Sequence, residues 1–287
     1  MQELTFKTSS CPNAPFLPDV YISMTTFPLR ITKILQDSLL DLIKQDYTNI
    51  KGLCITIPME NMRGQAAPAT LPSWFYEEPI ASKVTVLRPK KDSGPILKYI
   101  GAASVVPKHA WVFACDDDQR YSHNYISNLV KFAGKQKENR NDTIYNSLWT
   151  FEWDTMFLSM RLISGYMGVL FHRNFLTCIL ANFQDNLPVQ CKRIDDDLVS
   201  LYARDNGFTV KAAPGGINFK YFLRTGGNTA GSLLATGSRL TDRHFTHKLL
   251  NSKYADNLAI ASLTLFLISI AFLTTLISIA VVLARKR

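Results

Sequence analysis

The sequence predicts an α/β fold, an open and mostly parallel sheet with helices on both faces, plus one transmembrane helix at the C-terminus. Two patterns predict it. From residue 19 onward, short apolar runs rich in β-branched and aromatic residues alternate with stretches whose apolar residues recur at helical spacing. Near the end, residues 258–283 contain no charge, no Pro and no Gly; as a helix they would reach roughly 39 Å, beyond the ~30 Å hydrocarbon core of a bilayer. The alternative for such a stretch is a buried core helix. A hydrophobic content of 47% in 287 residues is ample for a packed domain.

Residues 1–18 form an N-terminal extension, and 19–225 the α/β domain. The run Val20-Tyr21-Ile22-Ser23-Met24 is strand one, ended by Pro28. From 30 to 46, Ile31, Ile34, Leu35, Leu39, Leu42 and Ile43 recur at helical spacing, so a helix follows. Residues 53–57 and 84–87 are further buried strands, and 96–104 is a helix opened by Pro95. Trp111-Val112-Phe113-Ala114 is the next strand. A helix is expected at 124–133, apolar stretches at 148–151 and 164–171, and a helix at 198–206 stopped by Gly207. The apolar region 162–183 is interrupted by His172 and Arg173 and reads as domain core. Residues 226–256 read as linker and membrane-proximal stem, 257–283 as the span and 284–287 as a basic tail.

The formal charge of +9 and pI near 9.3 favour anionic partners. Basic and aromatic residues do not alternate and no zinc-finger spacing occurs, so nucleic acid is not an expected partner. The first residues lack a signal-peptide pattern, which with a late span points to a single-pass, C-terminally anchored protein whose domain is cytosolic. Flanking charge does not decide orientation, since Arg239, Arg243, Lys248 and Lys253 precede the span and Arg285, Lys286 and Arg287 follow it. Five scattered cysteines without a CxxC pair read as reduced thiols. The sequon Asn141-Asp142-Thr143 matters only in a luminal domain and is expected to be unused.

Asp116-Asp117-Asp118 follows directly on a buried strand, at the sheet edge where ligands of such folds bind. Three adjacent carboxylates repel one another unless something positive sits among them. Oxygen ligands suit Mg²⁺ or Mn²⁺; a solvated acidic turn is the plainer alternative. A second triplet, Asp195-Asp196-Asp197, precedes the helix at 198–206. Acidic residues favour a helix N-terminus for electrostatic reasons alone, but one would suffice, and a general base for a hydroxyl is the further reading.

Four blocks in order make the sequence recognisable: Ser23-Met24-Thr25-Thr26-Phe27-Pro28-Leu29-Arg30, Asp92-Ser93-Gly94-Pro95-Ile96-Leu97-Lys98, Asp116-Asp117-Asp118-Gln119-Arg120-Tyr121 and Asp195-Asp196. Over about residues 19–215 the chain resembles glycosyltransferases of family 2 type, including the capsid-glycan transferases of large algal viruses. The resemblance implies a GT-A fold (nucleotide-diphospho-sugar transferase) with the first triplet as its DxD motif. Asp118 would then bind metal, with Asp116 at the metal or the donor and Asp117 at the donor ribose or sugar. Thr25, Arg30 and Asp92 would line the nucleoside pocket and Lys98 would lie near the phosphates. Gly207, eleven residues after Asp196, matches the family spacing and makes Asp196 the base with Asp195 as partner. The chain departs from the family in having Asp195 where Glu is common, and Ser164 where an acidic residue usually precedes the glycine matched by Gly165.

The implied activity is inverting transfer of a sugar, hexosyl or deoxyhexosyl, from a nucleotide-sugar donor, a UDP-sugar first, to a glycan or lipid-linked acceptor. The membrane would be that of the host or of a virus. Two other functions are compatible with the same sheet and carboxylates: nucleotidyl transfer, whose enzymes usually carry a Gly-rich basic loop after strand one, and non-catalytic scaffolding at a membrane. His244 and His247 are candidates for a further metal ligand or for membrane-proximal surface, and Trp149, Phe151 and Trp153 for acceptor stacking or core. Cys115 beside the triplet is no nucleophile, because carboxylates around a thiol suppress its thiolate.

Overall fold

In strand β4 (Trp111–Ala114) all residues are buried and successive side chains serve opposite cores. Trp111 and Phe113 join Val20, Ile22, Met24 and Ile55 on one face, while Val112 and Ala114 join Cys54, Val169 and Phe171 on the other. That period of two is what a strand buried on both faces requires. The computed structural model describes residues 16–213, except 32, 61–67, 137–139, 147–162, 164 and 184–186.

Seven strands form one sheet: β1 (Val20–Thr25), β2 (Ile50–Thr56), β3 (Val84–Leu87), β4, β5 (Thr143–Asn146), β6 (Val169–His172) and β7 (Thr209–Ala212), in the order β3-β2-β1-β4-β6-β5-β7. β6 runs antiparallel to both β4 and β5, and every other neighbour pair is parallel. The C-terminal ends of β1, β2, β3 and β4 therefore open on one edge.

Helices α1 (Lys33–Ile43) and α4 (Tyr125–Lys135) cover the first face, α1 through Leu35, Leu39 and Leu42, α4 through Ile126, Leu129, Val130 and Ala133. The second face is covered by α3 (Leu97–Ile100), α5 (Arg173–Asn182) and α7 (Asp195–Asp205); of the short helices, α2 (Ile80–Lys83) joins the first core through Ile80 and α6 (Val189–Lys192) leads into α7. Truncating one of these buried leucines to Ala is worth about 2–5 kcal/mol.

The mixed α/β sheet with helices on both faces agrees with the expected class, while several elements differ. The helix expected over 96–104 is one turn, α3, then a 3-10 turn at Ala102–Ser104. Gly101 lies between them, where a Cβ would stand 2.0 Å from Thr56 Oγ1 on β2. The chain is pressed onto the sheet there and only glycine fits. β5 and β7 were not expected; each has four residues with polar ones among them, too few to show a period. α7 starts at Asp195, so the second aspartate triplet is its first turn rather than its preceding loop.

Among the described residues no helix is long and apolar enough to cross a membrane. The expected span at 257–283, its stem and tail, His244, His247, Ser164 and the aromatic run at 149–153 lie outside the described residues.

Candidate active site

Both aspartate triplets come to the open edge of the sheet, and each is held in its own way. After β1 the chain passes Thr25 and Thr26 and makes a 3-10 turn, Pro28–Arg30, that sends Arg30 back over the strand ends. Arg30 donates to Asp117 Oδ1 at 2.6 Å and contacts Asp118 Oδ2 at 2.9 Å, with its guanidinium 5.0 Å from the Phe27 ring centroid. The Thr26 hydroxyl also donates to Asp117, and Gln119 donates to Asp118 at 3.0 Å. Burial disfavours charge on Arg30, but Asp117 and Asp118 outweigh it and its pKa stands raised.

A polar stripe on α1 fixes the loop after the triplet. Ser38 donates to the Gln119 carbonyl at 2.6 Å, Asp41 accepts from the Arg120 guanidinium and the Tyr121 amide, and Gln45 donates to the Ser122 carbonyl at 2.7 Å while accepting from the Ile126 amide at 2.9 Å. Ser38 and Asp41 are three apart and so share one face of α1, and Gln45 follows just past its C-terminal end. The sequence reading missed them; the available signal was Ser38, a polar residue fully buried in the apolar stripe with Leu35, Leu39 and Leu42.

The second triplet is held chiefly by backbone. Asp196 Oδ1 accepts from the Gly165 amide at 2.9 Å, and one turn on, Ser200 accepts from the Ile163 amide at 2.7 Å while donating to the Asp196 carbonyl. All three carboxylates are buried in the first turn of α7, whose N-terminus is electropositive.

Lys98 joins the two. Its ammonium, 1% exposed, donates to Asp116 Oδ1 at 2.6 Å and lies 2.8 Å from Asp195 Oδ2. Burial alone would lower its pKa, yet Asp116 and Asp195 hold it well above the ordinary lysine value. The Lys98 carbonyl is anchored on β1 by the Ser23 hydroxyl at 2.5 Å. Gly165 faces the lysine: a Cβ there would stand 2.6 Å from Nζ and 3.0 Å from the Tyr99 hydroxyl.

The residues expected at the site divide accordingly. Arg30, Lys98, Asp116, Asp117, Asp118, Asp195 and Asp196 form one connected cluster. Thr25 instead donates to the Thr56 carbonyl at 2.9 Å, and Asp92 accepts from the Gly94 amide at 2.7 Å, shaping the turn (Gly94 φ 85°) that starts α3. Cys115 is buried, and burial pushes its thiol pKa up, with Asp116 adding to the effect; the sequence reading had named only the carboxylates. Cys54, Cys115, Cys178 and Cys191 are free thiols, as expected.

The cluster's charge is unbalanced. Five carboxylates face Arg30 and Lys98, and burial followed by the Asp117 charge pushes Asp118 up to about 7 despite Arg30. Hard oxygen donors with surplus negative charge fit a divalent cation such as Mn²⁺ or Mg²⁺. Among the described residues no three His, Cys, Asp or Glu side chains converge as a complete cage. One or two carboxylates completed by substrate phosphates is how Mg²⁺ is commonly bound, and Asp116, its side chain 30% exposed, is the most open carboxylate of the cluster.

No family model and no curated protein matches the chain. Among solved structures, the mannosyltransferase PcManGT from Pyrobaculum calidifontis, in complex with GDP-Man and Mn²⁺, is similar at a TM-score of 0.49 and 15% identity, over 70% of this chain and 57% of its own. S. aureus TarS 1–349 is similar at 0.46 and 14% identity, over 69% of this chain and 59% of its own, and its complex with UDP at 0.46 and 13%. The chain thus spans less than two thirds of the length of these structures. Similarity of this order does not carry a function across, and what the site does is argued from its own residues.

Proposed function

We propose that this chain is a metal-dependent, inverting glycosyltransferase that moves a sugar from a nucleotide-diphosphate donor to a hydroxyl acceptor on a glycan, glycolipid or glycoprotein. The observation that carries the reading is the joining of the two carboxylate clusters through Lys98 at the open sheet edge. Transfer with inversion needs a leaving-group side and a base side around one sugar carbon, and two adjacent acidic clusters in different environments supply both.

Asp196 is assigned as the base. Its Oδ1 is oriented by the Gly165 amide, and it takes the acceptor hydroxyl's proton. Asp195, 2.8 Å from the Lys98 ammonium, stands next to that base as its partner. Arg30 and Thr26 fix Asp117, and Arg30 with Gln119 fixes Asp118, so the donor side is rigid before ligand arrives. Asp116 and Asp118 are the carboxylates that would hold Mn²⁺ or Mg²⁺; the bound cation supplies neutralisation of the departing diphosphate's charge. Thr25, Arg30 and Asp92 remain the proposed nucleoside side, with a UDP-sugar as first candidate. Lys98, being buried, acts on the carboxylates rather than on the phosphates. The apolar stretch 257–283 would keep the site beside a membrane-borne acceptor.

The test is the melting temperature of the full chain with UDP-, GDP-, CMP- and dTDP-sugars, with and without Mn²⁺. A ligand at a hundred times its Kd stabilises by about 2.7 kcal/mol. A shift requiring both one nucleotide sugar and the metal supports the reading and names the donor. No shift with any of them contradicts it.

A further inference from the structure

Lys98 stands between two carboxylates and is committed unequally to them. Toward Asp116 it makes an aligned hydrogen bond of 2.6 Å. Toward Asp195 it makes a 2.8 Å ion-pair contact outside hydrogen-bond alignment, so Asp195 Oδ2 is a buried acceptor with no aligned donor. A second buried polar atom next to it, the Tyr99 hydroxyl, has no hydrogen-bond partner among the described residues. Leaving such an atom without a hydrogen bond is costly, so a pair of them beside one ammonium asks for an explanation. An ammonium has three donors, and here two nearby acceptors, Asp195 Oδ2 on α7 and the Tyr99 hydroxyl on α3, take no aligned hydrogen bond.

We infer that Lys98 is a positioning residue that couples the two clusters: a divalent cation taken up at Asp116 displaces the ammonium, which turns to Asp195 Oδ2 and the Tyr99 hydroxyl oxygen. This rests on Asp116 being a cation ligand, as proposed above. Two positive charges on one carboxylate repel, and the ammonium has acceptors waiting within a short swing. Only the side chain has to move, because the Lys98 carbonyl is pinned to β1 by Ser23. The ammonium's observed place between the two carboxylates needs Gly165, since any Cβ there would stand 2.6 Å from Nζ and 2.8 Å from Cε. The base pair Asp195 and Asp196 thereby reaches its working arrangement only when the donor side is loaded.

A double-mutant cycle on Mn²⁺ affinity tests this, with free Mn²⁺ followed by electron paramagnetic resonance as it is titrated into the full chain. Asp195→Asn weakens the anchor to which Lys98 turns, so the ammonium stays on Asp116 and Mn²⁺ binds about five- to tenfold more weakly. Lys98→Met removes the competitor, so Mn²⁺ binds more tightly, and in that background Asp195→Asn has no effect. Tyr99→Phe weakens Mn²⁺ binding about two- to threefold in the wild-type background and not in Lys98→Met. If Asp195→Asn weakens binding equally in both backgrounds, Asp195 acts on the cation by charge alone and the coupling is overturned. Should Lys98→Met fail to fold, Lys98→Gln takes its place, because it also removes the competing positive charge while keeping a polar group in the site; a full Asp195→Asn effect there overturns the inference as well. A wild-type chain that binds no Mn²⁺ removes the functional reading itself, a distinct failure from an absent coupling.

Discussion

The 116–118 and 195–197 triplets are the same three residues in a row, yet the fold places them in opposite electrostatic settings. The first sits on a loop beyond β4, buried against other carboxylates, and depends on Arg30, Thr26, Gln119 and Lys98. The second opens α7, where the helix terminus itself favours negative charge, the Gly165 amide donates to Asp196 and Lys98 contacts Asp195. Identical sequence therefore yields one cluster held by side-chain cations and donors and one whose Asp196 is oriented by a helix terminus and a backbone amide. The first is suited to recruit a cation, the second to offer a fixed carboxylate as base.

The substitution that separates the two most strongly is Asp196→Asn. Asparagine keeps an oxygen for the Gly165 amide, so the melting temperature should change little, while kcat falls about a hundred- to ten-thousandfold, or ~2.7–5.4 kcal/mol of barrier. A drop confined to KM would break the assignment of Asp196 as base. Next in size is Arg30→Met, which leaves Asp117 and Asp118 buried without their cation and should cost about 3–5 kcal/mol in denaturant unfolding. Mn²⁺ should restore part of that loss, and no restoration would mean that the loop triplet does not take up a cation. Smallest is Asp41→Ala, which releases the loop after the first triplet from α1. It should cost about 1–3 kcal/mol and weaken Mn²⁺ binding several-fold, leaving the second cluster's geometry intact. Unchanged Mn²⁺ affinity would show that the α1 stripe serves stability alone.

The same contrast explains what could be read from the sequence. β1, β2, β3 and β4 are apolar runs of the right length, and a triplet of aspartates just past a buried strand has a definite place in such a fold. β5 and β7, with Thr, Asn and Lys among four residues each, carry no comparable pattern. Arg30 and Lys98 were visible as candidate site residues, but their contacts with the aspartates were not. The Lys98–Asp195 contact joins two residues far apart in the chain, and the Gly165–Asp196 bond involves a backbone amide that any residue except proline would possess. Gly165 was noticed only by motif position; its physical role, space for a lysine side chain, exists only once α3 and the chain before β6 have met.

The proposed site has a donor half at Asp118 and an acceptor half at Asp196. The most direct measurement is donor affinity at saturating Mn²⁺ in Asp118→Asn and Asp196→Asn, by calorimetric titration of the nucleotide sugar that stabilises the wild type. Affinity should fall at least about tenfold, ~1.4 kcal/mol, in Asp118→Asn and keep its wild-type value in Asp196→Asn. Equal affinities in the two variants, or a loss only in Asp196→Asn, would contradict it.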